Sequence, residues 1–387
     1  MGTRSAARQL AKRIAWTTLA SMTHPMLGST KDDLDTPALC LDLDLMEANI
    51  RHVAETCRRH NVGWRPHSKG HKSARIARTE LEAGAIGITC AKLGEAEVMA
   101  AGGVRDLLIA NLVVGPHKVR RLVELRRKAD PIVCIDHVDQ ALPIHQAMVE
   151  AQLRARVLIE VDIGLHRVGV APGEPTLALA KQLGELSGIE LAGIMGYEGH
   201  LLTLEDPADK AQQIGAALNL LVGCKTLLEQ NGIACPIVSC AGTGSYLYAA
   251  KHPGITELQA GGAIFMDAFY RHECQVPDLD YALTVLTTVV GRPAPERAII
   301  DAGRKTLNIE VATPLVVGRE DLRITRLSAE HGELQLDPSA QGLKIGDRLE
   351  LIPGYADLTA VLHDQFYGFR GGKLTEVIPI EGRGKLT

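Results

Sequence analysis

Between Ala38 and Thr243 the sequence alternates short runs rich in Val, Ile, Leu and Cys with longer segments of helical period. The runs are Ala38–Leu43, Val62–His67, Ala85–Cys90, Asp106–Asn111, Pro131–Asp136, Arg156–Asp162, Glu190–Tyr197 and Pro236–Thr243. Strands that are apolar on both faces and separated by helices belong to a parallel sheet. Eight such units match a closed (β/α)8 barrel. An open doubly wound sheet fits the alternation nearly as well, but no Gly-x-Gly-x-x-Gly follows the first run, so a dinucleotide fold lacks its usual support.

Helical stretches fall between the runs, among them Lys118–Lys128, Pro175–Leu186 and Ala208–Gln230. Asp44 stands three residues before Glu47, a capping-box spacing, ahead of Met46, Ile50, Val53 and Cys57 at helical intervals. After about Tyr270 the helical period stops. Tyr281–Val290, Ala298–Ile300, Arg323–Leu327, Arg348–Ile352 and Leu374–Ile380 read as strands broken by Gly and Pro. The expected division is an N-terminal extension (1–34), a barrel (35–274) and an all-β domain (275–387), with part of the N-terminal segment packed on the last.

The chain has 387 residues, long enough for one large domain and a lesser one. The first 31 residues carry five cations and no acid, which leaves the remainder with 37 basic against 46 acidic residues, a net −9. A net-acidic body with 3% aromatic residues gives no support for a nucleic-acid or membrane partner. No apolar run reaches the roughly 18 residues of a membrane helix. The basic leader suits a bacterial N-terminal extension or an organelle transit peptide. The eight cysteines are scattered without a Cys-x-x-Cys pair, which reads as buried thiols in a cytoplasmic protein.

A barrel gathers its chemistry where strands end at their C-terminal face. The second run ends in Arg65-Pro66-His67-Ser68-Lys69-Gly70-His71-Lys72, a dense cationic stretch. Like charges disfavour the protonated form of an amine, and the neutral amine is what attacks an aldehyde. A solvated basic loop is the plain alternative. The sixth run leads into Glu160 to Gly169, the seventh ends in Gly196-Tyr197-Glu198-Gly199-His200, and the eighth in Ala241-Gly242-Thr243-Gly244-Ser245. The last turn offers converging backbone N–H groups and hydroxyls to an anion, and Gly261-Gly262 could complete the cradle. An ordinary strand-to-helix turn is the competing reading. A phosphate cradle beside an activated lysine suggests pyridoxal phosphate.

With Asp35-Thr36-Pro37-Ala38, the 65–72 stretch, the segment through Arg167, Gly242-Thr243-Gly244-Ser245-Tyr246, Glu257-Leu258-Gln259, Phe265-Met266-Asp267, Asp301-Ala302-Gly303 and the tail from Pro353 to Arg370, the chain resembles the D-threonine aldolase and D-serine dehydratase-like family. That family has the alanine-racemase-type fold and uses pyridoxal phosphate. The resemblance implies that Lys69 holds the cofactor covalently, with His67 beside it. It also implies that Arg167 faces the pyridine nitrogen, that Tyr197 packs on the cofactor, and that Gly242, Thr243 and Gly244 hold its phosphate. His200 is a candidate base near the substrate hydroxyl, against the plainer reading of a structural histidine. A homodimer is implied as well, each β domain covering the neighbour's barrel mouth.

Members of the family typically carry a divalent metal (manganese, magnesium or zinc) on a His-x-Asp or His-x-Cys pair. Here the segment reads Pro353-Gly354-Tyr355-Ala356-Asp357, so Tyr355 replaces the histidine while Asp357 remains. A phenol is a poor neutral-pH ligand beside imidazole. The pair leaves three readings: a weakened hard-ion site, a site rebuilt from other residues, or no metal, with Tyr355 itself bonding the substrate. The reaction expected is lysis of a D-β-hydroxy-α-amino acid, foremost aldol cleavage to glycine and an aldehyde. Dehydration, metal-free racemisation, and a non-catalytic cofactor carrier are the alternatives.

Overall fold

The computed structural model describes residues 26–387. The first nine strands in chain order are β1 (Ala38–Asp42), β2 (Gly63–Trp64), β3 (Ile88–Cys90), β4 (Asp106–Leu112), β5 (Asp130–Ile135), β6 (Ala155–Glu160), β7 (Ile189–Met195), β8 (Ile237–Cys240) and β9 (Glu257–Leu258). Strands β2 to β9 form one parallel sheet in the order β2-β9-β8-β7-β6-β5-β4-β3. The sheet closes between β3 and β2: Ile86 N donates to Trp64 O and Thr89 N to Pro66 O, each at 2.8 Å. Side chains alternate along the strands, as a period of two requires. Leu108, Ile132, Cys134, Leu158 and Met195 gather in one buried cluster, while Leu107, Ile109, Val133, Val157 and Ile159 join the larger core with the helices.

Two strand assignments differ from the sequence reading. The run at Ala38 is not a barrel strand. It pairs antiparallel with β10 (Leu283–Ala294) and joins the second domain's sheet. A run apolar on both faces looks alike in either sheet, and its partner lies some 240 residues away. The eighth barrel strand is instead β9, only two residues long, just before the Gly261-Gly262 pair read as part of an anion cradle. The helix after β1 also starts earlier than the capping-box spacing suggested. It spans Leu43–Arg59, with the Asp42 carboxylate accepting from Asp44 N and Leu45 N at 3.0 Å. The other helices match within two residues: Pro116–Arg126, Glu174–Gly184 and Pro207–Gln230.

Beyond the barrel run β11 (Arg297–Ile300), β12 (Leu315–Val316), β13 (Leu322–Leu327), β14 (Gly332–Leu336), β15 (Arg348–Ile352), β16 (Gln365–Arg370) and β17 (Lys373–Pro379). With β1 and β10 they make a nine-stranded sheet in which only the β1–β16 pair is parallel. Residues 26–34 pack on this sheet, as expected of part of the N-terminal segment. Leu34 is buried, Gly28 N donates to Leu374 O at 2.8 Å, and Lys31 pairs with Glu350 at 2.6 Å. The leader residues 1–25 lie outside the described residues. All eight cysteines are buried and unpaired. Among the described residues no helix is long and apolar enough to cross a membrane.

Candidate active site

The ends of β2, β6, β7, β8 and β9 surround a cavity of about 280 Å³. His67, Lys69, Arg167, Tyr197, Gly242, Thr243, Gly261 and Gly262 all line it, so eight of the expected site residues meet in one place. Gly244 does not. It turns away, where an added Cβ would stand 3.1 Å from Cys274 Sγ. His200 does not line the cavity either. It is exposed on a short 3-10 turn, with its imidazole against Gly164.

The basic stretch after β2 is dispersed rather than concentrated. Buried Arg65 turns back under the barrel to Glu257 (3.1 Å) and Asp106. Lys72 pairs with the buried Glu95, which also accepts from Ser68 Oγ. His71 Nδ1 accepts from Ser73 N at 3.1 Å, and its Nε2 faces the fully buried Glu80 at 3.4 Å. Burial pushes the Glu80 carboxyl up, with His71 opposing. Only His67 and Lys69 are left facing the cavity. Burial, then Lys69 and Lys72, hold His67 well below the ordinary imidazole value, so it is neutral there. Its Nδ1 accepts from Lys69 N at 3.3 Å, which fixes the tautomer with the proton on Nε2.

Lys69 Nζ lies 3.2 Å from Asp357 Oδ2 and 3.4 Å from the Tyr355 hydroxyl. These two groups belong to the β domain, so the lysine stands at the seam between the domains. On the far wall Arg167 is half exposed, 3.6 Å from the buried Glu160 and 5.7 Å over the Tyr197 ring. Burial pushes the Glu160 carboxyl up, with Arg167 opposing.

The turn after β8 is anchored from below. Ser245 Oγ donates to Glu198, a fully buried carboxyl that burial pushes above the usual range. Above it a Cβ at Gly242 would stand 3.0 Å from the Tyr197 hydroxyl, and one at Gly261 would collide with the His67 backbone. Neither position tolerates a side chain without movement. Thr243 Oγ1 is buried and has no hydrogen-bond partner. An orphaned hydroxyl in a glycine-walled pocket matches an oxyanion acceptor. Together with the Lys69 amine in the same cavity, these residues fit pyridoxal phosphate.

They do not fit a divalent metal. Asp357 Oδ2 already faces Lys69 and accepts from Tyr355 at 2.9 Å. Burial pushes the Tyr355 phenol far above its ordinary range, so it stays protonated. Among the described residues no group of three or more His, Cys, Asp or Glu is placed to hold an ion.

Several participants escaped the sequence reading. Asn111 and Tyr270 line the cavity. Asp267 braces the segment after Tyr355 by accepting from Ala356 N at 2.8 Å. Burial raises its carboxyl to about 8. Asn111 carried a usable signal, a polar residue closing an apolar strand. Asp267 carried none beyond the Phe265-Met266-Asp267 family motif, and Tyr270 carried none.

A lysine-bearing barrel mouth with a phosphate-type cradle, closed by a separate β domain, defines an enzyme of the alanine-racemase-type architecture. Residues 41–268 match the family alanine racemase, N-terminal domain, and residues 282–369 match a putative serine dehydratase domain. The chain belongs to this family. It is 40% identical to a D-threonine aldolase of Arthrobacter sp over 91% of this chain and 93% of that one. It is 33% identical to a 3-hydroxy-D-aspartate aldolase of Paracoccus denitrificans, over 92% and 94% respectively. The crystal structure of D-threonine aldolase from Filomicrobium marinum superposes with a TM-score of 0.90 at 35% identity, covering 93% of this chain and 99% of the other.

Proposed function

We propose that this protein is a pyridoxal-phosphate lyase that cleaves D-β-hydroxy-α-amino acids, a D-threonine-like substrate giving glycine and an aldehyde. The observation that carries the reading is one cavity joining the Lys69 amine to the unpartnered Thr243 hydroxyl. Aldol cleavage is preferred to dehydration because the aldolases named above match nearly the whole chain at up to 40% identity. When bound, the cofactor supplies an electron sink for the carbon–carbon bond.

The chain's own groups would do the rest. Lys69 would hold the cofactor and give it up to the substrate amine. Thr243, with backbone N–H groups of Gly242, Gly261 and Gly262, would hold its phosphate. Tyr197 supplies a flat wall, Arg167 is the cation available to the ring nitrogen, and neutral His67 can donate from Nε2. The working unit would be a homodimer, with each β domain at the neighbour's barrel mouth, which light scattering would measure.

The test is product analysis by NMR in deuterated water, with D- and L-threonine and pyridoxal phosphate. Glycine and acetaldehyde from the D-isomer are expected. Keto acid and ammonia would mean a dehydratase, and α-deuteration without cleavage a racemase. No change in any amino acid would leave a cofactor carrier.

A further inference from the structure

Tyr355 and Asp357 occupy the two positions of the expected metal pair, yet they are bonded to each other. The Tyr355 hydroxyl donates to Asp357 Oδ2 at 2.9 Å. Lys69 Nζ lies 3.2 Å from that oxygen and 3.4 Å from the hydroxyl, so three polar groups close a triangle. Asp357 is 7% exposed, and its Oδ1 is buried without a partner. The phenol ring is wedged edge-on by Phe269 and Tyr270, with centroids 5.5 and 5.9 Å away. Asp267 pins the backbone between the pair through Ala356 N. An ion here would find one carboxylate already engaged by the phenol and no imidazole.

We propose that this pair handles the substrate's β-hydroxyl in place of a divalent cation, so that cleavage by this protein needs no added metal. The inference rests on the lyase reading above. The β-hydroxyl donates to Tyr355 Oη, which donates in turn to Asp357 Oδ2; a phenol can accept and donate at once. On cleavage the hydroxyl O–H bond breaks, and its electron pair becomes the second bond of the aldehyde carbonyl. The proton moves to Tyr355 Oη as the phenol's own proton passes to Asp357. The Cα–Cβ electron pair stays with the glycine carbon, which later takes up one proton, so none is gained or lost. Tyr355 is a catalytic residue in this scheme, and Asp357 receives the proton it passes on.

The test uses full-length holoenzyme freed of metal by a chelator, with D-threonine cleavage followed by NMR and added manganese followed by electron paramagnetic resonance. Equal rates with and without manganese are expected, and the manganese should keep its free signal. Tyr355→Phe is expected to lower kcat by at least about 100-fold, with the bound cofactor's visible absorbance retained. Tyr355→His restores a His-x-Asp pair and should bind manganese and become dependent on it. Cleavage by the wild type that is lost with chelator and restored by manganese would overturn the inference while leaving the lyase reading intact. Full activity in Tyr355→Phe would overturn it too. No cleavage of any β-hydroxy amino acid, with metal or without, would remove the lyase reading and the inference with it. The wild-type arms decide the matter even if a variant fails to fold.

Discussion

Replacing Thr243 by Val should push stability and cofactor affinity in opposite directions. The Thr243 hydroxyl is buried on a residue 1% exposed, at the cavity wall, with no partner. An unpaired buried polar group costs about 1–3 kcal/mol. Valine keeps the β-branched shape and removes the polar atom. Cofactor-free Thr243→Val is therefore expected to be more stable than the wild type, by about 1 kcal/mol. With pyridoxal phosphate the sign reverses, because a hydrogen bond to a charged group is worth about 1.5–3 kcal/mol. The variant's cofactor dissociation constant should rise roughly 10- to 150-fold. Urea unfolding of the cofactor-free protein reads the first effect, and titration with pyridoxal phosphate reads the second. If valine destabilises the cofactor-free protein, or leaves cofactor affinity unchanged, the hydroxyl is not held in reserve for a phosphate.

Glu198 gives a pH dependence of definite sign. Burial raises its folded-state value above the usual 4.5, so the folded protein holds a proton that the unfolded chain releases. Its contribution is complete below pH 4.5 and is lost as the pH rises through the raised value. The stability difference between wild type and Glu198→Gln, from urea melts at several pH values, should shrink in that direction. A flat difference would count against it. Glu95→Ala strips the buried Lys72 of its counter-ion and should cost about 3–5 kcal/mol, measured by thermal or urea unfolding. A Cβ at Gly70 would lie 2.8 Å from Asp357 Oδ1. Gly70→Ala should cost about 1–3 kcal/mol of stability from overpacking. It should also lower kcat, by displacing Asp357 from Tyr355, with the cofactor still bound.

The barrel was legible because its period is local. Each strand run carries Val, Ile, Leu and Cys in consecutive positions, each helix carries its apolar stripe, and the change of pattern after Tyr270 marks the second domain. The polar residues that close those runs, His67, Lys69, Tyr197, Gly242 and Thr243, were also readable, since a barrel brings its strand ends to one face whatever the loops do. Strand β9 was not, because its two residues, Glu257 and Leu258, stand between Thr256 and Gln259 and belong to no apolar run.

Pairing over long distances was decided by the tertiary structure alone. The stretch from Arg65 to Lys72 reads as a knot of positive charge, but three of its members are matched by acids from elsewhere. Arg65 meets Asp106 and Glu257, His71 meets Glu80, and Lys72 meets Glu95. That leaves Lys69 with a phenol and a carboxylate 286 and 288 residues further along. His200 ends a strand run just as His67 does, yet its loop carries it out of the cavity. Local periodicity determines which segments become strands and helices, because it depends on neighbours in the chain. The company each charged side chain keeps depends on which elements the fold sets side by side, and here that decides what surrounds Lys69.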